Sequence, residues 1–239
     1  MIIQGTTLRG TTVYDSSFNS YGALLYVDAA QNRSYVGSGT NWVDLSANNN
    51  NATLTGNPAF NFSTGYFTFT GNGTQYASTP TAKYNVTYTG KTVLLAARMS
   101  TSSWTSGVDQ YRCLFGTPTG TRNFNTYIHH DTSNNFQIHY SANNLGGISN
   151  NLSITTNQWF IAAVTHTTGG LVTYYINGQA VGTNTGVTFS QWATNGGENI
   201  AYGDNYWYGD IAMCAVYGRA LLADEITQNF NSLRSRYSL

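Results

Sequence analysis

Residues 159–181 read WFIAAVTHTTGGLVTYYINGQAV. Three strand-like runs, 159–166, 171–176 and 179–181, are separated by Gly169-Gly170 and by Asn177-Gly178. Asn-Gly is the strongest short-range hairpin signal, because both central residues of a type I′ turn need positive φ. The segment therefore predicts three adjacent antiparallel strands joined by two tight turns. Working outward, residues 66–70 read Tyr-Phe-Thr-Phe-Thr, a period of two that puts Phe67 and Phe69 on one face and Tyr66, Thr68 and Thr70 on the other. Residues 91–99 are more continuously apolar, as in a central strand. Shorter strand candidates lie at 21–27, 111–115, 124–129 and 135–140, with a last one at 210–217. Many short strands at this spacing, broken by Gly and Asn, belong to a sandwich. One helix follows the last strand. Asp224 and Glu225 suit its positive N-terminus, Asp224 as the cap, and Ile226, Phe230 and Leu233 share a face that would cover an end of the sandwich. The sparse residues 1–20 read as an N-terminal arm or edge strand before a single domain over 21–239.

Composition narrows the function classes. Of 239 residues only 8% are charged, against a usual share of about 25%, and ten basic side chains balance ten acidic ones. Attraction to nucleic-acid phosphates is thereby disfavoured. With 41% hydrophobic and 14% aromatic residues, the chain is far from the composition of disorder. Its polarity sits in Asn and Thr, about a quarter of the residues, which suit turns and half-buried strands. No apolar run approaches the roughly 20 residues that span a bilayer. The first ten residues lack the apolar stretch of a leader peptide, so no signal peptide is expected. Cys113 and Cys214 each lie inside an apolar strand-like segment and are expected as buried free thiols rather than a disulfide. The Asn-x-Ser/Thr triplets at Asn61, Asn72 and Asn85 are what so Asn- and Thr-rich a chain produces by chance.

Three segments resemble the concanavalin A-like, laminin-G-type jelly-roll family found in bacterial and phage surface proteins. The first runs from Asp28 to Tyr35, then Gly37 through Trp42, Asp44 and Ser46 into the Asn48–Asn51 loop. The second is Trp159 through Asn177-Gly178, and the third is Gly209-Asp-Ile211 through Tyr217, Arg219, Leu221 and Glu225-Ile226. The resemblance implies an all-β fold, a concanavalin A-like jelly-roll β-sandwich of two antiparallel sheets with one short C-terminal helix. It also implies a calcium option at Asp44, Asn48 and Asp210. The family's last strand commonly carries Gly-x-Ile-Asp-Glu, whereas this chain has Ala212-Met213 where the two acids stand, and calcium wants several oxygen ligands including carboxylates. No cofactor is therefore expected.

Candidate sites follow from side-chain chemistry. Tyr202, Asp204, Asn205, Tyr206, Trp207 and Tyr208 crowd a turn before the last strand. Aromatic faces stack on sugar CH groups while Asp and Asn bond hydroxyls, so this is a carbohydrate platform or a protein interface. Trp104 and Trp192 carry the same two readings. A glycosidase needs two carboxylates across a cleft. The chain has only Glu198, in a loop, and Glu225, in the helix, so no catalytic residues are assigned. His129, His130 and His139 with Asp131 lack a metal-ligand spacing, and His129 and His130 point to opposite faces of a strand. The first expectation is a non-catalytic virion structural protein, a phage capsid decoration or fibre component on the particle surface, bound to other virion proteins as a symmetric homo-oligomer. The alternative is a lectin-like or receptor-binding module for a cell-surface glycan.

Overall fold

The computed structural model describes residues 18–80, 88–117, 124–142, 145–189, 197–203 and 205–239. Residues 1–17 of the expected arm, Trp192 and Asp204 lie outside them. In chain order the strands are β1 (Ala23–Asp28), β2 (Asn41–Trp42), β3 (Ala52–Thr55), β4 (Ala59–Asn61), β5 (Tyr66–Thr70), β6 (Tyr76–Ser78), β7 (Gly90–Met99) and β8 (Gln110–Gly116). They continue with β9 (Asn125–His130), β10 (Phe136–Ala142), β11 (Leu145–Ile148), β12 (Trp159–Thr167), β13 (Val172–Ile176), β14 (Gln179–Asn184), β15 (Asn199–Ile200) and β16 (Tyr208–Tyr217), before the helix α1 (Ala223–Leu233).

The strands form two antiparallel sheets. The first has the order β14-β13-β12-β7-β16-β5-β4, with β1 added beside β16; the second has the order β11-β10-β9-β8-β15-β6-β3-β2. The predicted triplet is β12-β13-β14, and Asn177 and Gly178 turn its second hairpin at φ values of 49° and 78°. A bulge between Ile211 and Met213 lets β16 pair with β5 along its first half and with β1 along its second. Phe67, Phe69, Val93, Leu95, Phe160, Val164 and Val216 from the first sheet meet Leu114, Phe115, Ile128, Ile138 and Tyr140 from the second in the main core.

A second core explains the continuously apolar strands. Leu94, Ala96, Ile161, Ala163, Ala215 and Tyr217 point to the other face of the first sheet, where Leu221, Ile226, Leu233 and Tyr237 cover them. The helix thus lies over a face of the sandwich rather than its end, as the sequence had suggested. Phe18 stacks on Tyr26 with ring centroids 4.6 Å apart, and the backbone N–H of Asn19 donates to Asn229 Oδ1 at 2.7 Å, so chain entry and helix share this face. Asp224 does not cap α1. Leu222 is the cap residue, and Glu225 takes the Leu222 N–H at 2.9 Å while pairing with Arg219 at 2.6 Å. Both cysteines are buried free thiols, Cys214 in the core between the sheets and Cys113 on β8.

Candidate functional site

The register of β8, β9 and β10 decides what their outer face carries. Tyr111 pairs with His129 and His129 with Gln137; one row further, Cys113 pairs with Tyr127 and Tyr127 with His139; the third row pairs Asn125 with Ser141. Residues of opposite parity, Leu114, Ile128, Ile138 and Tyr140, are in the core, so these three rows face outward. The Tyr111 ring lies flat on the His129 imidazole with centroids 4.3 Å apart and meets the His139 ring edge-on at 5.1 Å. His129 Nδ1 stands 2.9 Å from Gln137 Oε1, and its Nε2 bonds Asp109 Oδ1. Asn125 Nδ2 donates to the Tyr127 hydroxyl at 2.7 Å.

The turn singled out in the sequence joins this surface at its third row. A Cβ on Gly203 would fall 2.7 Å from Cys113 Sγ and 3.1 Å from Asn125 Nδ2, so only glycine lets the turn sit this close to β8 and β9. Tyr202 and Tyr206 stack at 4.8 Å, and Tyr202 leans on Tyr76 of β6 at 5.3 Å. All three tyrosines are half-buried, as are Tyr111, Gln137 and His139. The result is a band of aromatic rings and amide, imidazole and carboxylate groups across the outer face of the second sheet.

Residues 102–227, more than half of the chain, match a laminin-G-type family described as the concanavalin A-like lectin/glucanases superfamily. The chain belongs to that superfamily. The binding domain of botulinum neurotoxin DC, solved in complex with SialylT, is similar to this lectin/glucanase-superfamily chain with a TM-score of 0.65 at 17% identity, over 90% of this chain and 52% of the toxin chain. The same toxin domain solved with rat synaptotagmin II gives a TM-score of 0.63 at 16% identity, with the same coverage of 90% and 52%. The chain thus spans about half the length of these toxin chains. Domain 4 of an extracellular arabinanase from Geobacillus stearothermophilus, solved with arabinotriose, matches at a TM-score of 0.61 and 17% identity over 87% of this chain and 97% of that domain. At these identities the likeness is one of fold. No curated protein sequence matches the chain.

The remaining candidates of this concanavalin A-like chain occupy other places. Trp207 is 0% exposed and belongs to the main core, its ring 6.4 Å from Phe160, which removes it from any surface platform. Tyr208 opens β16 and its hydroxyl accepts from Ser102 Oγ at 3.0 Å, while Asn205 is half-buried and its carbonyl accepts the Gly203 N–H at 3.0 Å. Asp210 lies on the first sheet, bound by Thr68 Oγ1 at 2.6 Å and Arg98 Nε at 2.7 Å. Asp44 spends both oxygens on its own loop, accepting from the N–H groups of Tyr26, Ser46 and Asn50 at 2.8–2.9 Å and from Ser46 Oγ at 2.6 Å. Asn48 Nδ2 donates to the Ala23 carbonyl at 2.7 Å. The Asp44 and Asp210 carboxylates are thus committed to separate protein partners, and the described residues contain no cluster of His, Cys, Asp or Glu able to hold a metal. Trp104 packs on the core between Phe136 and Arg112, and His130 turns toward it, away from His129.

Neither glutamate faces a cleft. Glu225 is bound by Arg219, which with the Leu222 and Asn19 N–H groups holds its carboxyl below the usual range. Glu198 is 0% exposed, and neither carboxylate oxygen has a hydrogen-bond partner. Burial pushes it up to about 7, against the attraction of Lys91, itself fully buried and pulled down to about 7 by desolvation. The Lys91 ammonium sits 5.6 Å from the Phe124 ring and 5.4 Å from that of Phe189.

The sequence passed over Tyr111, Tyr127 and Gln137, and weighed the histidines only as metal ligands. The available signal was polar and aromatic residues at a period of two on three successive strands: 111 and 113, then 125, 127 and 129, then 137, 139 and 141.

Proposed function

We propose that this chain is a non-catalytic, lectin-like module that takes a glycan on the outer face of its second sheet. The observation that carries the reading is the band of half-buried rings from Tyr111 and His139 to Tyr202 and Tyr206, interleaved with the hydrogen-bonding groups of Gln137, Asp109 and Asn205. Sugar rings offer CH faces to aromatic rings and hydroxyls to amides and carboxylates, so this mixture matches their chemistry. The toxin and arabinanase domains solved with SialylT and arabinotriose lend support as binding domains of the same fold. The buried setting of Glu198 and the ion pair of Glu225 speak for binding rather than hydrolysis. Particle docking, the first expectation from the sequence, draws no support from these neighbours.

The test is a glycan array probed with the chain and with Tyr111→Ala. Retention of a glycan by the parent and its loss in the variant, at an unchanged melting temperature, is the expected outcome. Equal retention by both proteins would remove the face from consideration.

A further inference from the structure

We infer that the Tyr111 end of this face is held in place by a doubly protonated His129, so that its binding strength follows the proton on that ring. The regulatory half of the inference rests on the glycan reading above; the structural half does not. His129 Nδ1 faces Gln137 Oε1 at 2.9 Å, and Nε2 faces the Asp109 carboxylate. Gln137 gives its Nε2 protons to Asn151 Oδ1 at 2.9 Å, which turns its oxygen toward the ring. Both partners are acceptors, and a neutral imidazole has one N–H to give. Only the imidazolium satisfies both, and a ring that lost a proton would point a lone pair at an oxygen.

The surroundings favour the cation. Tyr111 lies over the ring at 4.3 Å with an interplanar angle of 14°, and a cation is attracted to an aromatic face. The His129 side chain is 7% exposed, so water does not replace the lost bonds, whereas Asp109 is 55% exposed and free to swing out. The other ionisable groups that face it are Tyr111 on β8, Tyr127 on its own strand, His139 on β10 and Asp131 just past β9. Asn135 is the main cause that keeps the Asp131 carboxyl below its usual range, and a charge on His129 adds to it. On deprotonation Asp109 is released, the Tyr111 ring loses the cation beneath it, and the outer end of the band loosens.

The test combines nitrogen-15 NMR of the histidine rings with calorimetric titration of arabinotriose, both across a pH series. The expected result is that His129 carries protons on both ring nitrogens while Asp109 is engaged. The Tyr111 ring and Gln137 amide signals should then move with the midpoint at which one proton leaves, and arabinotriose affinity should fall about tenfold through that midpoint, the size of one charged hydrogen bond. In His129→Gln the affinity should be low and flat with pH. A His129 ring with a single proton while Tyr111 and Gln137 keep their positions overturns the inference. Absence of arabinotriose binding at every pH, with the coupled NMR shifts present, would instead count against the glycan reading and leave the protonated clamp standing.

Discussion

The sandwich holds two groups of ionisable side chains, and they are built in opposite ways. Between the sheets, Lys91, His166 and Tyr140 surround a region where Glu198 has no hydrogen-bond partner for either oxygen, although His166 is satisfied by the Tyr140 hydroxyl at 2.7 Å and the Val187 carbonyl at 3.2 Å. On the outer face of the second sheet, His129, Asp109 and Gln137 bond one another. Removing water costs the same kind of energy in both places, but only the outer group replaces the lost hydrogen bonds. Burial therefore dominates inside, driving Lys91 down and Glu198 up until they meet at about 7. Outside, geometry dominates, and the groups hold a surface in shape. A polar cluster in this fold weakens the core or builds a site according to whether its partners are present.

The strongest way to break this contrast is at the turn that touches both regions. Trp207→Ala should cost about 3–5 kcal/mol in denaturant unfolding, as for a large core side chain deleted into a cavity, while Tyr206→Ala, one residue away on the outer face, should cost less than about 1 kcal/mol. Equal costs would erase the division between inside and outside. The second effect is on pH. Glu198, raised from 4.5 to about 7, gives stability that is present below pH 4.5 and lost as pH rises through 7. Lys91, lowered from 10.5 to about 7, gives stability that is present above pH 10.5 and lost as pH falls through 7. Their sum predicts a shallow minimum near neutrality, a few kcal/mol deep at most, in unfolding free energy measured from pH 4 to 11. Glu198→Gln should flatten its acid side, and an unchanged curve in that variant would show the carboxylate to be better satisfied than its surroundings suggest.

Next comes Tyr111→Ala, expected to weaken glycan binding at least tenfold while moving the unfolding free energy by less than about 1 kcal/mol, the reverse of the Trp207 pattern. The smallest effect is the sharpest check on the loops. Because the Asp44 carboxylate is spent on its own loop and Asp210 on Arg98 and Thr68, millimolar calcium should leave the melting temperature where it was. A rise of several degrees would mean that these carboxylates exchange protein donors for the ion.

Much of the fold was legible because its signals are local. The alternation at 66–70 and the Asn177-Gly178 dipeptide each carry their meaning within a few residues, and the structure keeps both. The helix was legible as an amphipathic stretch, but its resting place was not, since that depends on the apolar outer face formed by Leu94, Ile161 and Tyr217 on three distant strands. Continuous apolar runs at 91–99 and 210–217 were the sign that both faces of those strands are covered. The candidate site was harder to read. In the run Tyr206-Trp207-Tyr208 the chemistry of neighbours is nearly the same, and only strand placement sends Trp207 inward while Tyr202 and Tyr206 stay near the surface. The Tyr111, His129 and Gln137 row needs the register of three strands, which the bulge between Cys113 and Phe115 shifts by one residue. A single sequence does not carry that register in any one segment.

The pairing of β1 with β16 sets a schedule for the chain as well as a shape. Ala23 lies opposite Tyr217 and Val27 opposite Cys214, so the first strand made waits for nearly the last before its edge is filled. Loop closure over such a span is slow, and folding dominated by distant pairings takes milliseconds to seconds in small domains. During synthesis the segment Leu24–Val27 therefore leaves the ribosome without its partner and remains a sticky edge until β16 and the covering helix emerge. Removal of the residues after Tyr217 would leave the pairing intact and the outer apolar layer bare, converting a slow folder into an aggregating one.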